Sequence, residues 1–65
     1  MKTYKVIAID FNGYRTERAT TGSKDLAKTI YEGYIVRCLK GFTDIMEVLV
    51  ETDTEIVSSF VNWKR

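Results

Sequence analysis

The chain has 65 residues, of which 45% are hydrophobic and 29% are charged, and its formal net charge is +1. A single cysteine and the absence of histidine exclude an internal disulfide and the usual His/Cys zinc cages, and the near-neutral charge gives no field that favours nucleic acid or a membrane surface. We therefore expect a single domain, residues 1–65, without metal or cofactor, in a reducing compartment, the cytoplasm.

The first predicted element is a β-hairpin. Residues 3–11 are rich in β-forming residues, and Asn12-Gly13 is the strongest short hairpin signal. A two-residue type I′ turn would place Asp10 opposite Arg15, an opposite-charge pair that favours this register. One face of the hairpin, the better candidate for the core, then carries Ile7, Ile9, Phe11 and Tyr14. The other face carries Tyr4, Val6, Ala8 and Ala19.

The second predicted element is a helix over residues 24–40. Ser23 is a good N-cap, Asp25 lies in the first turn, and Gly41 follows as the C-terminal cap. At about 100° per residue, one apolar stripe forms. Its members are Leu26, Ala27, Ile30, Tyr31, Tyr34 and Cys38. Three further apolar residues, Ile35, Val36 and Leu39, fall outside this stripe.

Residues 43–51 predict a third strand, with Met46, Val48 and Val50 on one face and Ile45 and Leu49 on the other. The segment after it has two interpretations. Residues 56–63 are rich in β-formers and favour a fourth strand. Thr52-x-x-Glu55 is also a capping box that would begin a helix. The strand is preferred, so the fold class is α+β in the order ββαββ, an antiparallel sheet with one long helix on one face, with ββαβα as the alternative.

No catalytic constellation is evident. There is no histidine and no glycine-rich phosphate loop, and Asp10 is interpreted as the hairpin partner of Arg15. Glu47 and Glu51 share a strand face, but two carboxylates are weak evidence for a divalent-ion site. Cys38 lies on the core stripe, where a small buried hydrophobe is the better interpretation. The sequence therefore predicts a protein that is not an enzyme.

Surplus apolar surface indicates a protein–protein interaction module. One helix cannot cover both faces of a sheet, and contiguous exposed apolar area marks contact sites. The predicted contact residues are Ile35, Val36 and Leu39 on the helix and Tyr4, Val6 and Leu49 on the sheet. The expected partner is a second copy of the chain, an unidentified protein, or both.

An alternative function is nucleic-acid binding by the sheet face and the basic termini, since arginine and aromatic side chains on a sheet can hold phosphates and stack on bases. The residues concerned are Arg15, Arg18, Trp63, Lys64 and Arg65. Against this alternative, Asp10 and Glu17 interleave with the arginines, and a dedicated binder usually shows a basic stripe.

In short length, lack of a catalytic set and compact strand–helix layout, the chain resembles the very small accessory proteins that bacteriophages and other mobile elements encode. No motif and no particular residue carries this resemblance. It implies a protein that modulates or inhibits a host protein.

Overall fold

The computed structural model describes residues 2–41 and 44–62, which form a four-stranded antiparallel sheet with one helix on one face. The strands stand in the order β2-β1-β3-β4, so β2 and β4 are the two edges. The elements are β1 (Tyr4–Asp10), β2 (Arg15–Thr21), α1 (Lys24–Lys40), β3 (Ile45–Glu51) and β4 (Ile56–Val61). The predicted order ββαββ is confirmed. The predicted start of the third strand at Thr43 lies outside the described residues.

The helix has the bounds that its capping residues predict. The Ser23 hydroxyl accepts a hydrogen bond from the Leu26 backbone N–H at 3.2 Å, which satisfies one of the free donors of the first turn. Gly41 takes the left-handed conformation, with φ of 76°, and its N–H reaches the carbonyls of Arg37 and Cys38.

The first hairpin differs from the prediction in both turn type and register. The Asp10 carboxylate accepts hydrogen bonds from the N–H groups of Asn12 and Tyr14, and Gly13 alone has a positive φ, of 86°. This is a three-residue loop with glycine at the left-handed position, rather than a type I′ turn. The register therefore shifts, and Arg15 lies opposite Ile9 instead of Asp10. The predicted Asp10–Arg15 pair was wrong because the carboxylate caps the turn.

The face that the helix covers also differs from the prediction. The core beneath α1 contains Val6 and Ala8, together with Val48 and Val50 of β3. Ile7 and Ile9, which the sequence favoured as core residues, lie on the opposite, open face. Ile45 was predicted to share a strand face with Leu49 but belongs to the helix-side core, because a bulge in the β1–β3 pairing shifts its register.

The segment after β3 forms a strand, β4, as the preferred interpretation predicted. Thr52, which was considered as the start of a helical capping box, instead stabilises the loop before β4. The Thr52 hydroxyl accepts hydrogen bonds from the N–H groups of Thr54 and Glu55, at 3.3 and 3.2 Å. The Thr52 N–H donates to the Glu55 carbonyl, which closes a hairpin instead of starting a helix. Threonine caps a turn here by the same hydrogen bonds that it would offer to a helix.

Candidate interaction surfaces

The three helix residues predicted for contact lie toward the outside of α1. Val36 is 48% exposed and Leu39 is 49% exposed, while Ile35 is half-buried and packs against the core. Ile35 and Leu39 lie on the flank of the helix opposite to Arg37, whose side faces β2 through Tyr34. Their flank is therefore the one that faces β3 and β4.

The three sheet residues predicted for contact are not available as surface. Val6 is fully buried beneath the helix, and Tyr4 is half-buried against the same core. Leu49 lies on the open face, yet it is only 5% exposed. The prediction of an accessible sheet surface at these positions was wrong, because it assumed that α1 covers the other face and that an open face stays bare.

Long polar side chains shield the open face of the sheet. Arg15 on β2 donates to the Glu51 carboxylate on β3 at 2.8 Å. The registers place Arg15 beside Ile9 and Glu51 beside Lys5, so this ion pair crosses β1 above Ile7. Ile7 is 5% exposed in consequence. A charged cover of this kind leaves little apolar area for a partner on the β2 half of the face.

The edge strand β4 presents accessible apolar side chains. Its sequence, Ile-Val-Ser-Ser-Phe-Val, contains no charged residue and no proline. Ile56 and Val61 at its two ends are 62% and 52% exposed. The helix packs mainly on β1, β2 and β3, so β4 projects beyond its cover. An uncharged, β-forming edge strand is a template for pairing with another strand.

The hydrogen bonds of β4 show which of its backbone groups are free to pair. The Asn62 N–H donates to the Met46 carbonyl, and the same register pairs Phe60 with Val48. Since antiparallel pairs alternate between bonded and non-bonded, Ser58 and Phe60 turn their backbone groups toward β3. Ser59 and Val61 therefore turn theirs outward, away from the sheet.

A second cluster joins the opposite edge to the helix. The guanidinium of Arg18 on β2 lies 5.8 Å from the centroid of the Tyr34 ring, and that of Arg37 lies 5.3 Å from it. A bulge in the β1–β2 pairing leaves Arg18 as an extra residue of β2, so Arg18 and Ala19 both face the helix side. Within residues 2–41 and 44–62, neither guanidinium forms an ion pair with a carboxylate.

The two described residues of the nucleic-acid alternative, Arg15 and Arg18, do not lie on one surface. Arg15 lies on the open face in its ion pair with Glu51, whereas Arg18 lies on the helix side. Trp63, Lys64 and Arg65 lie outside the described residues. Nucleic-acid binding by this set stays a prediction.

Two chemically reactive groups are buried in the core. Burial raises the pKa of the Cys38 thiol, and burial together with the nearby Glu32 charge raises the pKa of Tyr31. The Cys38 thiol lies 3.9 Å from the Ile45 carbonyl, and no cationic group lowers its pKa. A thiol with a raised pKa is a poor nucleophile, so the geometry gives Cys38 a packing role. Among the described residues no group of acidic or cysteine side chains could hold a metal ion.

Comparison with protein-family models, with curated proteins and with solved structures found no match. None of the described helices is long and apolar enough to cross a membrane. The sequence analysis did not predict the two surfaces described above, namely the β4 edge and the cluster of Arg18, Tyr34 and Arg37. The absence of charged residues in 56–61 could have indicated the β4 edge. The contact between Arg18 and Tyr34 depends on a β-bulge, which no local sequence pattern predicts.

Proposed function

We propose that this protein is a non-enzymatic interaction module that forms a homodimer by pairing β4 of one copy with β4 of another. The observation that supports the proposal best is the uncharged edge strand with its outward backbone groups at Ser59 and Val61. Strand addition at an edge gains main-chain hydrogen bonds along the whole strand, and side chains on alternate faces add specificity. The product would be a continuous eight-stranded sheet.

A second copy fits this edge because β4 is compatible with itself. A twofold axis at Ser59 sets the two Ser59 residues opposite each other and Ser58 of one copy opposite Phe60 of the other. Side chains on the helix-covered face of one copy therefore lie beside side chains on the helix-covered face of the other. No charged group is desolvated in this pairing, since β4 carries none. A 65-residue chain without disulfide or metal also gains the stability that small cores lack.

The exposed helix residues would remain for a second protein. Val36 and Leu39 lie on α1, above the sheet, while the proposed dimer contact runs along the edge. Apolar anchors on a rigid helix are the usual means by which a small protein docks into a groove of its partner. Modulation or inhibition of a host protein by such docking is the regulatory role that the resemblance in the sequence implies, and it forms part of this proposal.

The first experiment is the mass in solution by light scattering across a concentration series. We expect about twice the 7.5 kDa of one chain at high concentration. Ser59→Pro removes an outward N–H without removing a bond to β3, so it should keep the fold and give a monomer. Ser59→Ala, which keeps the N–H, is the matched control and should remain a dimer.

Circular dichroism on each variant separates loss of pairing from loss of fold. Should Ser59→Pro fail to fold, Val61→Lys tests the same edge by adding a charge that must be desolvated on pairing. A wild-type monomer at every concentration would contradict the homodimer. A folded Ser59→Pro protein that still dimerises would place the contact elsewhere, and Val36→Asp with Leu39→Asp would then test the helix.

A further inference from the structure

We propose that the groove between β2 and α1 binds a phosphate ester, with the phosphoryl group held by Arg18 and Arg37 and the esterified group resting on Ile30 and Gly33. This site lies on the flank of the helix away from β4. It is separate from the proposed dimer contact and does not depend on it.

The charge on this flank of the helix is all of one sign. At 100° per residue, the side of α1 that faces β2 carries Leu26, Thr29, Ile30, Gly33, Arg37 and Lys40. The acidic residues of the helix, Asp25 and Glu32, lie more than a quarter-turn away from Arg37. Arg18 adds a further positive charge from β2. An anion entering this groove meets cations without a neighbouring carboxylate that would repel it.

Both guanidiniums lie over the Tyr34 ring. Each lies within 6 Å of the ring centroid, at the distance of a cation–π contact. Such a contact uses the flat face of a guanidinium and leaves its N–H edges free to donate. Because both guanidiniums lie within 6 Å of the same ring centroid, an anion bound beside Tyr34 is attracted by two positive charges and can accept charge-assisted hydrogen bonds from them. Phosphate, with its several acceptor oxygens, suits this fork geometry.

A pocket beside the cluster provides room for the group that the phosphate esterifies. It is lined by Ile30, Gly33, Tyr34 and Arg37 and has a volume of about 220 Å³. This volume is below that of pockets for drug-sized ligands, which are roughly 300–1,000 Å³. The site therefore fits a small ring or a single side chain rather than a large enclosed molecule.

Gly33 keeps this pocket open. A Cβ atom at this position would have no heavy atom within 4 Å, so the packing of the described chain does not require glycine there. Glycine in the middle of a helix is less favourable than alanine. In the proposed site, the lack of a side chain at position 33 leaves room beside Ile30 and Arg37 for the esterified group.

Titration of the isotope-labelled protein, followed by NMR at constant ionic strength, tests the site with phenyl phosphate and inorganic phosphate as probes. We expect saturable shifts at the amides of Ile30, Gly33, Tyr34 and Arg37, with tighter binding of phenyl phosphate. Adenosine monophosphate and O-phosphotyrosine then distinguish a nucleotide from a phosphorylated side chain as the source of the ester. Sodium chloride at matched ionic strength is the blank.

Three variants and one control variant test which groups bind. Arg18→Gln and Arg37→Gln should each weaken phenyl phosphate binding by about tenfold, since each removes a charge-assisted hydrogen bond. Arg15→Gln, which removes the same charge from the open face, should leave the affinity unchanged. Gly33→Leu should fill the pocket and weaken phenyl phosphate more than inorganic phosphate.

Three results would contradict the proposal, in whole or in part. Shifts no larger than those from sodium chloride would mean that no site exists. An equal loss of affinity in Arg15→Gln and Arg37→Gln would mean that the anion responds to overall charge. Equal affinity for phenyl phosphate and inorganic phosphate would overturn the assignment of an ester.

Discussion

The two edges of the sheet are built in opposite ways. The β2 edge carries three charged residues, Arg15, Glu17 and Arg18, among four consecutive positions. The β4 edge carries no charge over its whole length and leaves Ile56 and Val61 exposed. A bulge interrupts the pairing at both edges. The two edges therefore differ in charge, which is a common device by which proteins protect an edge from pairing with another chain.

The difference shows that protection of an edge is a local property rather than a property of the whole sheet. Both edges flank the same core and belong to the same four-stranded sheet. Yet two side chains of β2 are engaged in contacts within the chain, because Arg15 forms an ion pair with Glu51 and Arg18 lies over the Tyr34 ring. Among the described residues, the side chains of β4 form no ion pair or cation–π contact of this kind. The proposed contact with another chain is therefore placed at β4.

The largest expected difference is in hydrogen exchange of the outward backbone amides. The amides of Ser59 and Val61 should gain at least roughly a hundredfold protection when the protein concentration rises through the dimerisation range, because pairing buries them. The amides of Arg15 and Glu17 also point outward, since Asp10 and Tyr14 form the bonded pair of that ladder. The exchange rates of the Arg15 and Glu17 amides should not change with protein concentration. Equal protection at both edges would remove the distinction between them.

The attachment of β4 to the sheet gives the next largest effect. Asn62 is buried, and its side-chain amide donates to the Ile45 carbonyl at 3.0 Å. Asn62→Ala should lower the free energy of unfolding by about 1–3 kcal/mol, measured by urea denaturation. Thr20→Val on β2 removes an exposed hydrogen bond to Glu17 and should change the free energy of unfolding by less than about 0.5 kcal/mol. A smaller effect at Asn62 than at Thr20 would contradict this ranking.

The core shared by both edges should make stability depend on pH in the alkaline range. Burial raises the pKa of Cys38 above its ordinary 9.0 and that of Tyr31 above its ordinary 10.0. As pH rises through these values, the unfolded chain loses its protons first and is favoured. The free energy of unfolding should be constant well below pH 9, begin to fall as the pH approaches 9, and fall further above it. Cys38→Ala together with Tyr31→Phe should flatten this fall, and an unchanged slope would contradict it.

The smallest expected effect concerns the ion pair on the open face. Arg15→Gln should lower the free energy of unfolding by at most about 1 kcal/mol, because the Arg15 side chain is 55% exposed and solvent screens the charge. The loss should shrink further in added salt. Chemical denaturation of both proteins at two salt concentrations measures it. A salt-independent loss of several kcal/mol would show that the pair is a structural link between β2 and β3.

The sequence predicted the elements whose signals are local. Ser23 and Gly41 mark the two ends of α1 because capping depends on residues within one turn. The strand interpretation of residues 56–61 was correct for a related reason, since serine and β-branched residues disfavour a helix. The fold class followed from these elements, and the exposure of Val36 and Leu39 followed from the helical period.

The parts that could not be predicted depend on contacts between distant segments. The covered face of the sheet is decided by which β3 residues stand beside β1, and Val48 and Val50 favour the side of Val6 and Ala8. The hairpin register depended on whether Asp10 would meet Arg15 or cap the turn. Three bulges then shifted the pairing of all three ladders. One such shift moved Ile45 into the core.

Of the three strand pairings in the sheet, the central one joins the two strands that are farthest apart along the chain. β1 lies between β2, its neighbour in sequence, and β3, which follows the whole of α1. The ladder from Lys5–Glu51 to Asp10–Ile45 can therefore form only after a long loop closes, and closure loses entropy before the ladder forms. The two hairpins and the helix need no such search. We expect the transition state of folding to be the docking of the β3–β4 hairpin on β1, so this chain folds more slowly than a helical protein of its size.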